Sequence, residues 1–233
     1  MTMKKKFIVI AVLAALGVPT AMAQDTCLWA ARAYAIFDTH YGSRDYGGLA
    51  AMAERRFDNY TLGFGAEATS AARFALTLGG RADLGRGFCL ENRYIYRQFA
   101  LLNRQEFAGA LLLGYTNRHW DFRLGFANRY TAELVQRANG GMGTVCEPMN
   151  LMFRIEGWLY EGSAQWNVGG RFSNMGDFFM ERMTVWTYSL CGYYTLPSGT
   201  RLEGELGFHP VGSLNLTASY DGFYIHLGAA RRF

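Results

Sequence analysis

Lysine is almost missing from this chain: Lys4, Lys5 and Lys6 are the only three in 233 positions, and every later cationic side chain apart from four histidines is an arginine. No apolar run beyond the N-terminal segment reaches the roughly 18 residues that a membrane-spanning helix needs, and no stretch sustains a helical hydrophobic period. A helical membrane protein and a helix bundle are therefore both excluded. Proline is scarce at four residues. The four cysteines form no CxxC pair and no cluster with metal-ligand spacing, so no metal and no cofactor is expected. A contiguous basic patch with interleaved aromatics is also absent, which removes the usual footprint of a nucleic-acid binder.

What is present begins at the N-terminus. The three lysines precede the apolar run Phe7 to Leu16 and then Ala21-Met22-Ala23, the order of n-region, h-region and cleavage site in a secretory signal peptide. Removal of residues 1–23 is expected, leaving 24–233 as the exported protein. Cys27 follows Asp25-Thr26, a context unlike a lipoprotein site. With the lysines gone, twenty arginines face nineteen acidic residues and the formal charge of +4 falls to near +1. Arginine is a planar fork that keeps its charge when partly buried, although a genome-wide codon bias leaves the same composition.

Alternation is the repeating signal from Trp29 to Phe233. From Trp120 to Tyr130, Trp120, Phe122, Leu124, Phe126 and Tyr130 face one way while Asp121, Arg123, Ala127 and Arg129 face the other. Period two over eleven residues is a strand, long enough to cross a bilayer when tilted. The split recurs at Leu151 to Tyr160, where Leu151, Phe153 and Ile155 oppose Arg154 and Glu156. It recurs again at Arg201 to Phe208, where Leu202, Leu206 and Phe208 oppose Arg201, Glu203 and Glu205. Two architectures separate faces in this way: a soluble sandwich or barrel with an apolar core, and a membrane barrel that is apolar outside and polar within. Trp120, Tyr130, Trp166, Phe172, Trp186 and Tyr194 fall toward strand ends on the apolar face, as interfacial aromatic girdles do, and this favours the membrane barrel.

Turn signals divide the chain into twelve strands: 28–37, 49–57, 60–68, 73–84, 88–100, 106–116, 120–130, 151–160, 164–172, 183–194, 200–208 and 223–233. Leu214 to Tyr220 also alternates, but single-chain barrels carry an even strand number, which assigns it to a loop. Short links then collect at one end and the longer ones, such as 131–150, at the other. The expected fold is all-β: a single transmembrane antiparallel up-and-down β-barrel. On the last strand Phe223, Ile225, Leu227 and Phe233 share a face, and the chain ends on Phe233. This resembles the C-terminal signal by which bacterial outer-membrane β-barrel proteins are recognised for assembly; Arg231 on the apolar face departs from the pattern. The resemblance implies the bacterial outer membrane, its lipid and its barrel-assembly machinery, through Phe233, as location and partners. A monomer is expected, since a closed barrel needs no partner to cover its edges.

The polar face carries the candidate chemistry. Arg81, Arg93, Arg97, Arg123, Arg129, Arg154, Arg171 and Arg201 alternate with Glu91, Asp121, Glu156 and Glu203, in a wider row that adds Arg32, Arg56, Arg73, Arg232, Glu54, Glu67, Asp83 and Glu205. Arginine leads, and a wall with excess fixed positive charge favours anions. In size and arginine lining the chain resembles the small monomeric channels for acidic oligosaccharides, though no motif of theirs matches residue by residue. The same row is equally compatible with a salt-bridged plug. Function therefore divides among a small pore for anionic or polar solutes, a closed structural barrel or adhesin acting through its loops, and a membrane-embedded enzyme. Of His40, His119, His209 and His226, only His226 is expected inside, and the sequence places no nucleophile or orienting carboxylate beside it, so no catalytic residue is assigned. Cys146 is expected in the longest loop, with Cys27, Cys89 and Cys191 at the opposite end, which leaves the thiols free or alternatively paired.

Overall fold

The structure, a computed structural model, describes residues 29–38, 46–70, 72–100, 103–133, 143–161, 164–175, 186–211 and 219–233. Twelve strands follow one another: β1 (Trp29–Asp38), β2 (Tyr46–Phe57), β3 (Tyr60–Thr69), β4 (Arg73–Gly85), β5 (Phe88–Phe99), β6 (Arg104–Thr116), β7 (Trp120–Glu133), β8 (Gly143–Trp158), β9 (Trp166–Ser173), β10 (Thr187–Thr195), β11 (Arg201–Val211) and β12 (Ser219–Arg232). Each pairs antiparallel with its sequence neighbours, and β1 with β12 closes the barrel. The closure runs from Ala30 opposite Arg232 to Asp38 opposite Tyr224, and reciprocal bonds between the Trp29 and Phe233 backbones extend it by one rung. Every strand thus has a partner strand on both sides and the sheet has no open edge, the condition for a sheet to sit in hydrocarbon.

Twelve strands agree with the count read from the turns, and the differences lie at the ends. β7 and β8 run on to Glu133 and Gly143, which shortens the expected loop and moves Cys146 into β8. Both extensions lie beyond a register shift between Ala127 and Arg129. The extra residue falls on β8, between Glu147 and Asn150, and breaks the period of two there, so β8 beyond it does not read as a continuation, while β7 keeps its register with β6 to Glu133. β12 begins at Ser219, absorbing the end of the stretch assigned to a loop, again beyond a register shift, here between His209 and Pro210. The expected signal segment, Cys27 and most of the long loops lie outside the described residues.

The short links gather at one end, called here the short-turn end. Arg86 and Gly87 make a two-residue turn with φ of 53° and 86°, the left-handed pair that matches the twist of a tight hairpin. The opposite, loop end joins β1 to β2, β3 to β4, β5 to β6, β7 to β8, β9 to β10 and β11 to β12, and the β3–β4 and β5–β6 joins there are also short. Outward positions carry large exposed apolar groups, among them Leu78, Phe107, Leu111, Leu124, Phe126, Leu190 and Leu206. Trp120, Trp166 and Tyr194 ring the short-turn end of that face, and Tyr130 stands toward the loop end. Charge lies inside and hydrocarbon outside, which is the arrangement of a membrane barrel and the inverse of a soluble one.

Candidate functional site: the barrel interior

Inward positions are set by register, and register decides which charges meet. Across β7 and β8, Arg123 lies opposite Arg154, and two positions on Asp121 lies opposite Glu156. Like charges directly opposed repel, and the side chains resolve this diagonally. Arg123 Nη1 is 2.7 Å from Asp121 Oδ1, and Arg154 Nη2 is 3.5 Å from the same oxygen. Arg123 also reaches Glu91 on β5, Nε to Oε2 at 3.1 Å, crossing the intervening β6. It can do so because Gly114 lies beneath it: a Cβ there would stand 2.8 Å from both Cδ and Nε of Arg123. Glu91 further accepts from Arg93 Nη2 at 2.6 Å.

The chain of ion pairs continues round the wall. Arg171 donates to Glu156 at 2.8 Å and to Glu205 at 2.9 Å, linking β8, β9 and β11. Glu205 also accepts from Ser189 at 2.6 Å and from Tyr224 at 2.7 Å, with His226 Nδ1 at 3.8 Å. A carboxylate and a hydroxyl therefore do stand beside His226, which sequence reasoning does not place. Ser189 is directed at the carboxylate and not at the imidazole, so the group is a hydrogen-bond hub and not a nucleophile–base relay. Tyr34 donates to Glu203 at 2.6 Å, and the Arg201 guanidinium lies 3.9 Å from the Tyr193 ring centroid. Arg81 bonds Asp83 at 3.0 Å.

Two neighbouring spaces lie among these groups in the short-turn half. The larger, about 510 Å³, is lined by eight arginines and five carboxylates; Arg81, Arg93, Arg123, Arg154 and Arg171 lie among the former, Glu91, Asp121 and Glu156 among the latter. Gly63, Gly79 and Gly80 leave its β3–β4 wall low. The smaller, about 270 Å³, is lined by Arg171, Arg201, Glu156, Glu203, Glu205 and the rings of Tyr34, Trp158 and Tyr193. Arg32, Tyr34, Glu156 and Arg171 belong to both walls.

Arg97 and Arg129 line neither space. In the loop-end half they converge on Glu106, Arg97 Nη1 at 3.3 Å and Arg129 Nη1 at 3.9 Å, with Arg104 bonded to the same carboxylate. Glu106 is 2% exposed and Arg97 2%. Arg73 and Glu67 form a second buried pair at 3.0 Å. Beside them Ile95, Ala108, Leu112, Ala127, Met152 and Met175 pack into an apolar cluster on the inner face. Glu106, Arg104, Ser189, Tyr224 and the inward rings of Tyr34, Trp158 and Tyr193 are among the interior residues missed from sequence. Their signal is their parity with charged neighbours, as Trp158 shares its face with Arg154 and Glu156. Cys89 and Cys191 are buried, Cys146 is exposed, and all three are free. Among the described residues no group of His, Cys, Asp and Glu could hold a metal.

No family model matches the chain, and no curated protein matches it. Solved structures do. The KdgM porin in complex with disordered oligogalacturonate superposes with a TM-score of 0.54 over 88% of this chain and 99% of that one, at 9% identity. The NanC porin gives 0.54 over 86% and 98%, at 8% identity. An outer-membrane channel from Pseudomonas putida F1 gives 0.51 over 93% and 99%, at 12% identity. At such identities the likeness is one of fold: this chain has the closed β-barrel fold of the outer-membrane porins.

Proposed function

We propose that the chain is an outer-membrane pore for small anionic or polar solutes, which enter the barrel through the arginine-lined short-turn half. The observation that carries this is the charge balance of the larger space, eight arginines to five carboxylates. Solutes inside a narrow, low-dielectric wall feel a fixed charge far more strongly than solutes in bulk water. The excess of three positive charges therefore favours anions over cations, as rings of arginine do in anion pores. KdgM and NanC, whose fold this barrel shares, are porins, which supports this reading.

Single-channel recording in a planar bilayer tests it. Anion-selective steps are expected, and Arg81→Ala or Arg154→Ala, each lining the larger space, should move the reversal potential toward cations. A refolded barrel that gives no channel events at any voltage overturns the pore. A second reading has its own observation, the buried loop-end layer of Glu67, Arg73, Arg97 and Glu106 beside the apolar cluster. A layer so filled makes a closed barrel whose work is done by its loops. Deleting 134–142, the segment between β7 and β8 and outside the described residues, then abolishes partner binding with assembly intact. Silence in the bilayer together with that loss would establish it.

A further inference from the structure

Among strand residues whose side chains are described, two charged groups stand on the hydrocarbon-facing side of the wall: Arg55 of β2 and Arg231 of β12. Alternation fixes their side, since their neighbours Arg56 and Arg232 point in and line the larger space. Both guanidiniums lie over outward aromatic rings. Arg55 Cζ is 5.3 Å from the centroid of Trp29 and 4.7 Å from that of Phe57, and Arg231 Cζ is 5.4 Å from that of Phe233.

The two arginines are a matched pair in the fold. Arg55 pairs with Trp29 and Arg231 with Ala31, so they flank β1 from either side at the short-turn end. Their strands lie two spacings apart, roughly 10 Å, within the joint reach of two long side chains. Below them the wall is low. Ala31, Ala33 and Ala35 of β1 lie beside Ala51 and Ala53 of β2, with Ala229 on β12. Leu62 and Phe64 of β3 stand up on one side and Leu227 of β12 on the other. The row from Ala31 to Ala35 extends for roughly 13 Å along the strand, from the arginines toward mid-membrane.

We propose that this furrow binds one anionic glycerophospholipid, its phosphate held between Arg55 and Arg231 and an acyl chain laid along the alanines. Phosphate oxygens match the arginine fork, and each charge-assisted bond is stronger at a membrane interface than in water. The proposal rests on the membrane placement of the barrel and not on its conducting.

Native mass spectrometry of the refolded barrel with 1-palmitoyl-2-oleoyl phosphatidylglycerol or the matching phosphatidylcholine is the test, with folding scored separately by heat-modifiable gel mobility. Wild type should retain one phosphatidylglycerol in preference to phosphatidylcholine, and R55Q/R231Q should lose retention by about tenfold. A51L/A53L fills the furrow without touching the arginines and should also lower it, which keeps the test available if the first variant does not fold. Equal retention of the two lipids by wild type overturns the proposal. So does undiminished retention in both variants, or an equal loss in R86Q/R118Q, whose arginines lie in short-turn-end turns away from the furrow. Loss of gel-shift behaviour in wild type would count against the membrane barrel itself.

Discussion

Glu106 is the single residue on which most of the loop-end interior depends. Three arginines converge on a carboxylate that is almost wholly buried. Removing one partner from a buried cluster leaves uncompensated charge and costs about 3–5 kcal/mol. Glu106→Gln should therefore lower the urea midpoint of the detergent-refolded barrel far more than Glu161→Gln, whose pair with Arg118 is solvent-exposed and worth about 1 kcal/mol or less. Equal effects would show that Glu106 is not the hub. Arg97 and Arg129 are legible from the sequence as inward-facing arginines. That they share Glu106 is not legible, because alternation gives the side of a residue and says nothing of its partner. Gly114 is similar: only the structure shows that its missing side chain lets Arg123 lie across β6.

At the scale of elements, the seam between β8 and β9 is short and side chains reinforce it. Its ladder has five paired positions, from Arg154 opposite Ser173 to Trp158 opposite Gly169. Beyond it Asn174 stands in for a strand residue. Its side-chain oxygen accepts from the Phe153 amide at 2.8 Å, and its Nδ2 donates to the Leu151 carbonyl at 2.7 Å. Buried polar groups left without such partners cost about 1–3 kcal/mol. Asn174→Ala should thus speed hydrogen exchange at the Phe153 amide by about ten- to a hundredfold while amides in the β5–β6 ladder are unchanged. No local change would remove this role from Asn174. On the same element, Gly169 faces the Gly157 carbonyl and the Trp158 ring with no space for a Cβ. Gly169→Ala should lose heat-modifiable gel mobility, since backbone cannot yield as a flexible side chain does. The ends of β8 and β12 were hidden from sequence for a related reason: one inserted residue at a bulge exchanges the faces, and a period-two pattern cannot be followed across it.

For the whole molecule, the distribution of filled and empty interior decides conduction. The short-turn half holds the two spaces, and the loop-end half holds buried ion pairs and the cluster around Leu112 and Met152. If that cluster sets the narrowest passage, Leu112→Ala should raise unit conductance while lowering stability by about 2–5 kcal/mol; an unchanged conductance would place the constriction elsewhere. Selectivity should also depend on salt. The screening length falls from about 10 Å at 0.1 M to about 3 Å at 1 M, so the anion preference measured by reversal potential should shrink toward unity. A preference that persists at 1 M would point to direct coordination instead of a fixed field.

By itself the sequence determined the number of strands, the face most strand residues take up to the bulges and the closure into a barrel. These follow from a local period of two, from turn residues and from the need to satisfy every strand edge, none of which requires distant contacts. The tertiary structure alone decided which arginine meets which carboxylate, where the interior stays open and that Arg55 and Arg231 flank a common furrow. Those depend on the register between strands far apart in the chain, and a shift of two positions would keep every residue on its own face while giving nearly every inward charge a different partner.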